Sequence, residues 1–161
     1  MIQKLSIILN KKFTKRFKDL SIEDVKNFLK FTENHHWKNI QRHLNKIDNI
    51  FLNDLAELLH EDKPIEERVD NFRKNKKGIG KAVYSAILLV SYPDKYGVWN
   101  EISQWSMKFL GIFLEGLPYQ DKATKKLSEG EIYNIFVGPL NDTCRSNHDI
   151  KWTDVLILDI Y

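Results

Sequence analysis

The segment KAVYSAILLVS, residues 81–91, constrains the fold more than any other part of the chain. Its apolar side chains recur with a helical period on two adjoining faces, one formed by Ala82, Ala86 and Leu89 and the other by Val83, Ile87 and Val90. A helix that is apolar around most of its circumference has to be covered by other elements. The segment therefore predicts a central buried helix with the rest of the chain packed around it.

The amino-terminal half is also expected to be helical. SIEDVKNFLKFTE begins with Ser21, and Asp24 three residues later completes the pattern of a capping box. IDNIFLNDLAELLHED has apolar residues at helical spacing. That segment stops before Pro64, which can begin the next helix, PIEERVDNFRKN.

The carboxy-terminal half gives the same result. Asn100 is the expected N-cap of the helix EISQWSMKFLGIF, and Ser128 is the expected N-cap of EGEIYNIFVG. Pro139 should end or kink that second helix. The apolar tail IKWTDVLILDIY suits a helix among so many others. We predict an all-α fold without internal repeats, a compact multi-helix domain over residues 1–161.

Composition and length agree with a single soluble domain. A chain of 161 residues can bury a core, and 42% apolar with 29% charged residues is ordinary for a globular protein. The single cysteine, Cys144, excludes an intrachain disulfide and a cysteine-rich zinc site and suits a reducing compartment. No apolar run reaches the length of a secretory signal or a membrane span. These features predict a cytoplasmic protein with no membrane partner, and they leave the oligomeric state open.

The stretch KKGIGKA joins the third of these helices to the buried one through a cationic turn. Glycine permits positive φ and the close approach of another molecule, and free N–H groups at a helix start favour an anion. Ile79, between the glycines, is expected to point inward and lock the two helices together. The residues predicted to bind backbone phosphate are Lys76, Lys77, Gly78, Ile79, Gly80 and Lys81. The alternative is an ordinary αα-hairpin with a solvated basic face.

The order of elements around this turn resembles that of the helix-hairpin-helix DNA glycosylase superfamily. Its members have a Leu-Pro-Gly-Ile/Val-Gly turn, a buried helix rich in alanine and aliphatic residues, and a loop ending in Val-Asp before another helix. The matching pieces here are Gly78-Ile79-Gly80, residues 82–90, residues 91–97 and Val98-Trp99-Asn100. The hairpin motif itself lies within about 65–91. The whole chain also resembles a family of uncharacterised bacterial and archaeal proteins that share PIEER, GIGKA, YPDKYGVWN and a carboxy-terminal W-T-D stretch.

The resemblance implies a helical scaffold that binds double-stranded DNA, in DNA repair or genome defence, with no cofactor beyond a monovalent cation that the hairpin could hold. Whether the chain is an enzyme stays open. The catalytic aspartate of such glycosylases corresponds to Asn100, whose amide has no negative charge, and their nucleophilic lysine corresponds to Ala82. Glu101 and Asp94 are the carboxylates that could replace the aspartate, although such acids also suit helix capping.

Two further groups are candidates for contact with nucleic acid. Tyr96 and Trp99 could stack on an extruded base, or they could belong to the core beside the buried helix. The segment ENHHWKNIQRH could form a basic surface near nucleic acid or a solvated helix end. Its candidate residues are His35, His36, Lys38 and Arg42. No cysteine pair or HExxH pattern completes a zinc site, so no metal is expected.

Three functions therefore stay open at the level of sequence. The main prediction is a DNA-binding protein that holds backbone phosphate through the cationic turn. The second is a DNA glycosylase or lyase that acts on a modified or damaged base. The third is a helical interaction module whose basic turn docks an acidic partner protein.

Overall fold

The computed structural model describes residues 20–30, 44–75, 79–92, 95–101, 103–104 and 127–146. These residues form five α-helices and contain no strand, which confirms the all-α prediction for this part of the chain. The helices are α1 (Ile22–Leu29), α2 (Asn49–Leu59), α3 (Ile65–Asn75), α4 (Lys81–Ser91) and α5 (Glu129–Ser146). Among these described elements, no helix combines the length and the apolar character needed to cross a membrane.

The starts of α1 and α5 follow from local side-chain chemistry. At α1 the Asp24 N–H donates to the Ser21 hydroxyl at 3.1 Å, and the Ser21 N–H donates to the Asp24 carboxylate at 3.2 Å. At α5 the Glu131 N–H donates to the Ser128 hydroxyl at 3.1 Å, and the Ser128 N–H donates to the Glu131 carboxylate at 2.7 Å. Both helices therefore begin with a reciprocal capping box, and both N-caps predicted from sequence are confirmed.

Helix α4 is the buried element that the sequence predicts. Its buried residues cover much of its circumference: Val83, Tyr84, Ser85, Ile87, Leu88, Leu89 and Ser91. Ala82, Ala86 and Val90 are only partly buried, so they mark the side of the helix that is less covered. Burial of this apolar surface is a large favourable contribution to the packing of α4 in the core.

A series of aromatic rings connects α2, α3, α4 and α5 through the core. The Phe51 ring lies edge-on to Phe72 with centroids 5.7 Å apart, and Phe72 lies edge-on to Tyr84 at 6.2 Å. Tyr84 in turn meets Tyr133 edge-on at 5.7 Å. Each helix contributes one ring, so these edge-to-face contacts fix the four helices relative to one another beyond what apolar burial alone would do.

Helices α3 and α5 cross with their backbones in unusually close approach at Gly130. A Cβ atom at this position would lie well inside van der Waals contact with the backbone of Glu66. The Gly130 N–H also donates to the Asp70 carboxylate at 2.8 Å, so an acid of α3 satisfies one of the free N–H groups at the start of α5. Glycine is required here because any side chain would push the two helices apart.

Pro139 was expected to end or kink α5, and the first alternative is wrong, because the helix continues to Ser146. A proline inside a helix removes one hydrogen bond to the carbonyl four residues earlier. That carbonyl belongs to Ile135, whose side chain is exposed, so water can reach this side of the helix. The loss of one bond on a solvated face is tolerated where packing holds the helix on its other face.

We predict opposite effects for alanine at the two described glycines of α5. Gly130→Ala should lower the free energy of unfolding by about 1–3 kcal/mol, because the Glu66 backbone cannot move aside as a flexible side chain could. Gly138→Ala should leave stability unchanged or raise it by up to about 1 kcal/mol, since a Cβ there meets no described atom within 4 Å and alanine favours a helix. Urea unfolding followed by circular dichroism measures both, and equal stabilities would contradict the close crossing.

Candidate nucleic-acid interface

The amino end of α4 lies at the turn that the sequence singles out. Ile79 is 1% exposed, which confirms that it points inward and packs in the core. Gly80 is the N-cap residue of α4, with φ −84° and ψ 174°, and it provides no side-chain hydrogen bond to the helix. Its backbone conformation is one that any residue adopts, so positive φ is not the reason for glycine at this position.

Gly80 faces open space within the described part of the protein. The residue is exposed, and a Cβ added to it would meet no described atom within 4 Å. Neither backbone conformation nor internal packing among these residues therefore requires glycine. The first turn of α4 presents backbone N–H groups and the positive end of the helix dipole to whatever approaches from this side.

Lys81, the first residue of α4, is held in place by Trp99. Its ammonium nitrogen lies 4.4 Å from the centroid of the Trp99 ring, which is the geometry of a cation–π contact. The Ser85 hydroxyl donates to the Lys81 carbonyl at 2.6 Å and accepts from the backbone N–H of Trp99 at 2.8 Å. Both the side chain and the backbone of Lys81 are thus tied to the loop before Asn100, and its positive charge has a defined position over the Trp99 ring.

Tyr96 and Trp99 belong to the core, in agreement with the alternative that the sequence left open for them. They are 7% and 5% exposed. The Trp99 ring stacks on Tyr133 with centroids 5.9 Å apart and on Phe136 at 6.0 Å, and Tyr96 stacks on Tyr133 at 6.4 Å. Stacking on an extruded base would need an exposed ring face, which rings as buried as these do not offer.

Tyr96 also contacts Arg68, a buried cation that the sequence did not indicate. Arg68 is 4% exposed and donates from Nη1 to the Leu58 carbonyl at 2.7 Å and from Nη2 to the Tyr96 hydroxyl at 2.5 Å. That hydroxyl donates onward to Glu61 at 3.2 Å. Burial raises the pKa of Tyr96, which keeps the phenol protonated and able to donate. The network joins the 95–99 loop to the end of α2 and thereby supports Trp99.

Arg73 is turned toward the protein although it opens the basic run of residues 73–81. Its Nε donates to the Glu129 carboxylate at 3.0 Å, and its Nη1 donates to the Ile79 carbonyl. The side chains of Arg73 and Glu129 are 28% and 30% exposed. Sequence reasoning missed this pair because the two residues are 56 positions apart and only the packing of α3 against α5 brings them together.

Asn100 caps the helical turn that follows it, as the sequence predicts. The Ser103 N–H donates to the Asn100 side-chain oxygen at 2.7 Å, and the Asn100 N–H donates to the Ser103 hydroxyl at 3.0 Å. The Asn100 side-chain amide, which the resemblance matched to an aspartate, is therefore engaged with backbone. Glu101 is exposed on the same turn, and Ala82 is partly buried. Asp94 lies outside the described residues.

Several residues of the predicted interface also lie outside the described part of the chain. In the turn these are Lys76, Lys77 and Gly78, and in the basic segment they are His35, His36, Lys38 and Arg42. Their phosphate-binding and surface roles stay predictions. Within the described residues, no group of three histidine, cysteine, aspartate or glutamate side chains is arranged to hold a metal ion.

A shallow cleft of about 360 Å³ lies away from the turn, between the end of α2 and the first half of α3. It is lined by Ala56, Glu57, His60, Asp62, Lys63, Arg68 and Asn71. His60 Nδ1 lies 3.0 Å from Asp62, and Lys63 lies 3.0 Å from Glu67. The hydrogen bond from His60 lowers the pKa of Asp62. His60 thus pairs with Asp62 and Lys63 with Glu67, and the cleft is lined by no described residue of the turn.

In comparisons with known proteins, no family model matches the chain, and no curated protein or solved structure shows significant similarity to it.

The hydroxyl of Ser85 can be tested against a matched serine on the same helix. Ser85→Ala should lower the free energy of unfolding by about 1–3 kcal/mol, because the buried Trp99 N–H loses its acceptor. Ser91 is equally buried, but its hydroxyl has no hydrogen-bond partner among the described residues. Ser91→Ala should therefore stay within about 0.5 kcal/mol of wild type or be more stable. Chemical denaturation compares the two, and an equal loss in both would contradict the bridging role of Ser85.

Proposed function

We propose that this protein binds double-stranded DNA, and that the amino end of α4 holds a backbone phosphate. The observation that carries the proposal is the open start of this helix. Gly80 provides no side-chain cap, a Cβ there would meet no described atom within 4 Å, and Lys81, the first residue of the helix, has its ammonium held over the Trp99 ring. Free N–H groups, the helix dipole and a fixed cation together suit a phosphate oxygen.

This mode of binding should be insensitive to base sequence. Contacts to phosphate contribute charge-dependent affinity and carry no sequence information, whereas specificity requires contacts to base edges. The chain has a formal net charge of only +3, so the affinity depends on where the cations lie more than on their total. Lys76 and Lys77 would add to the same contact.

Base excision is not part of the proposal, because no observation among the described residues favours it. The Asn100 amide is engaged in a helix cap, and Tyr96 and Trp99 pack against protein rings. A helical scaffold that binds the DNA backbone without cleaving a glycosidic bond accounts for these features.

Substitutions at Gly80 test the contact without disturbing the fold. Gly80→Asp and Gly80→Asn both fit the open space, and both residues are favoured N-caps, so stability should be equal to or slightly above that of wild type. Only aspartate places a negative charge where the phosphate would lie. We expect Gly80→Asp to weaken duplex binding at least about tenfold and Gly80→Asn to weaken it much less.

Fluorescence anisotropy with a labelled duplex of arbitrary sequence, over a salt series from about 50 to 200 mM, measures the effect. Binding of wild type that weakens steeply with salt supports the proposal. Equal affinities for Gly80→Asp and wild type would remove the amino end of α4 from the interface. If wild type does not bind even at the lowest salt, the proposal of DNA binding fails and an acidic protein becomes the partner to seek.

A further inference from the structure

We infer that Arg73 and Glu129 are positioning residues for the DNA interface, and that Arg73 is not itself a phosphate ligand. The inference rests on the proposed function. It adds that the orientation of the turn is fixed by Arg73 of α3 and Glu129 of α5, on the side of the turn away from the proposed DNA contact. Arg73 belongs to the basic run of residues 73–81, so on charge alone it would be counted among the DNA-binding cations.

Among the described residues, the guanidinium of Arg73 already has acceptors both on α5 and in the turn. Nε donates to Glu129, whose two carboxylate oxygens lie 2.9 and 3.0 Å from it, and Nη1 donates to the Ile79 carbonyl. Both side chains are less than one-third exposed. A phosphate at this site would have to displace a carboxylate that lies in charge-assisted hydrogen-bond contact with the guanidinium.

The bond to the Ile79 carbonyl determines where the Gly80 N–H points. The Ile79 carbonyl and the Gly80 N–H belong to one planar trans peptide unit, in which they point in opposite directions. Arg73 holds the carbonyl on the protein side, so the Gly80 N–H is directed away from Arg73. Burial of the Ile79 side chain fixes the other end of the same residue. The amide closest to the proposed phosphate is thus oriented before DNA arrives.

Helix α5 provides Glu129, the carboxylate that holds Arg73 in place. Glu129 is the first residue of α5, where the helix dipole favours a negative charge. The close crossing at Gly130 sets the position of that residue against α3. Tyr84 lies close enough for the charge of Glu129 to raise the pKa of its phenol, an effect that adds to the larger one of burial. The turn therefore depends on an element 50 residues later in the chain.

The variant Glu129→Gln separates positioning from general electrostatics, because the two predict opposite changes in DNA affinity. Loss of one acid makes the net charge more positive, which by itself would tighten binding to DNA. Positioning predicts weaker binding, by about three- to tenfold, since the charge-assisted hold on Arg73 is lost. Glu57→Gln is the matched control: it makes the same charge change at an exposed residue of α2, and its affinity should equal or exceed that of wild type. Tighter binding of Glu129→Gln would overturn the inference.

The salt dependence of binding tests whether Arg73 touches phosphate. Removal of a phosphate ligand lowers the slope of log affinity against log salt by about 0.9, and we expect this of Lys81→Gln. Arg73→Gln should weaken binding while its slope stays at the wild-type value. A slope reduced as much as that of Lys81→Gln would make Arg73 a direct ligand and overturn its positioning role.

Hydrogen–deuterium exchange without DNA tests the inference independently of the proposed function. In Glu129→Gln, amides of residues 79–83 should exchange several-fold faster, whereas those of residues 49–59 should keep the wild-type rate, which also shows that the variant is folded. Unchanged exchange at 79–83 would refute the positioning of the turn, whatever the DNA result. Faster exchange together with no DNA binding by wild type would refute the interface and leave the control of the turn by Glu129 established.

Discussion

The burial of α4 is the constraint on which the rest of this structure depends. Its apolar side chains share one core with α2, α3 and α5, and the edge-to-face rings from Phe51 to Tyr133 give these helices a defined arrangement. The position of Ile79, just before α4, is fixed as well, because its side chain is buried in the same core. In the proposed function, this rigid helix behind the turn would allow a few backbone N–H groups to act as a preformed anion site.

Polar contacts fix the positions of the residues around the start of α4. Ser85 links the first turn of α4 to the loop that carries Trp99, and Trp99 in turn fixes the ammonium of Lys81. Arg73 and Glu129 act on the other side of the turn, at the Ile79 carbonyl. Of these side chains, only Lys81 would belong to the proposed phosphate contact, whereas the others hold Lys81 and the turn in place.

Gly130 and Gly80 lie in unrelated environments. Gly130 is needed because two helix backbones meet there, a reason that lies wholly inside the protein. Gly80 has an ordinary φ and open space around it in the described part of the chain. Among the described residues nothing requires glycine at Gly80, whereas the crossing of α3 and α5 requires it at Gly130.

The sequence by itself determined the helical class, the N-caps at Ser21, Asn100 and Ser128, and the buried nature of residues 81–91, because caps and periodicity are local properties of a few neighbouring residues. It also indicated the turn around Ile79. It did not show that Arg73 faces Glu129, that Trp99 holds Lys81, or that α5 passes Pro139. Only the tertiary structure decided these points, since the partners are far apart in the chain and the energy of each contact depends on burial and on backbone approach that no local pattern encodes.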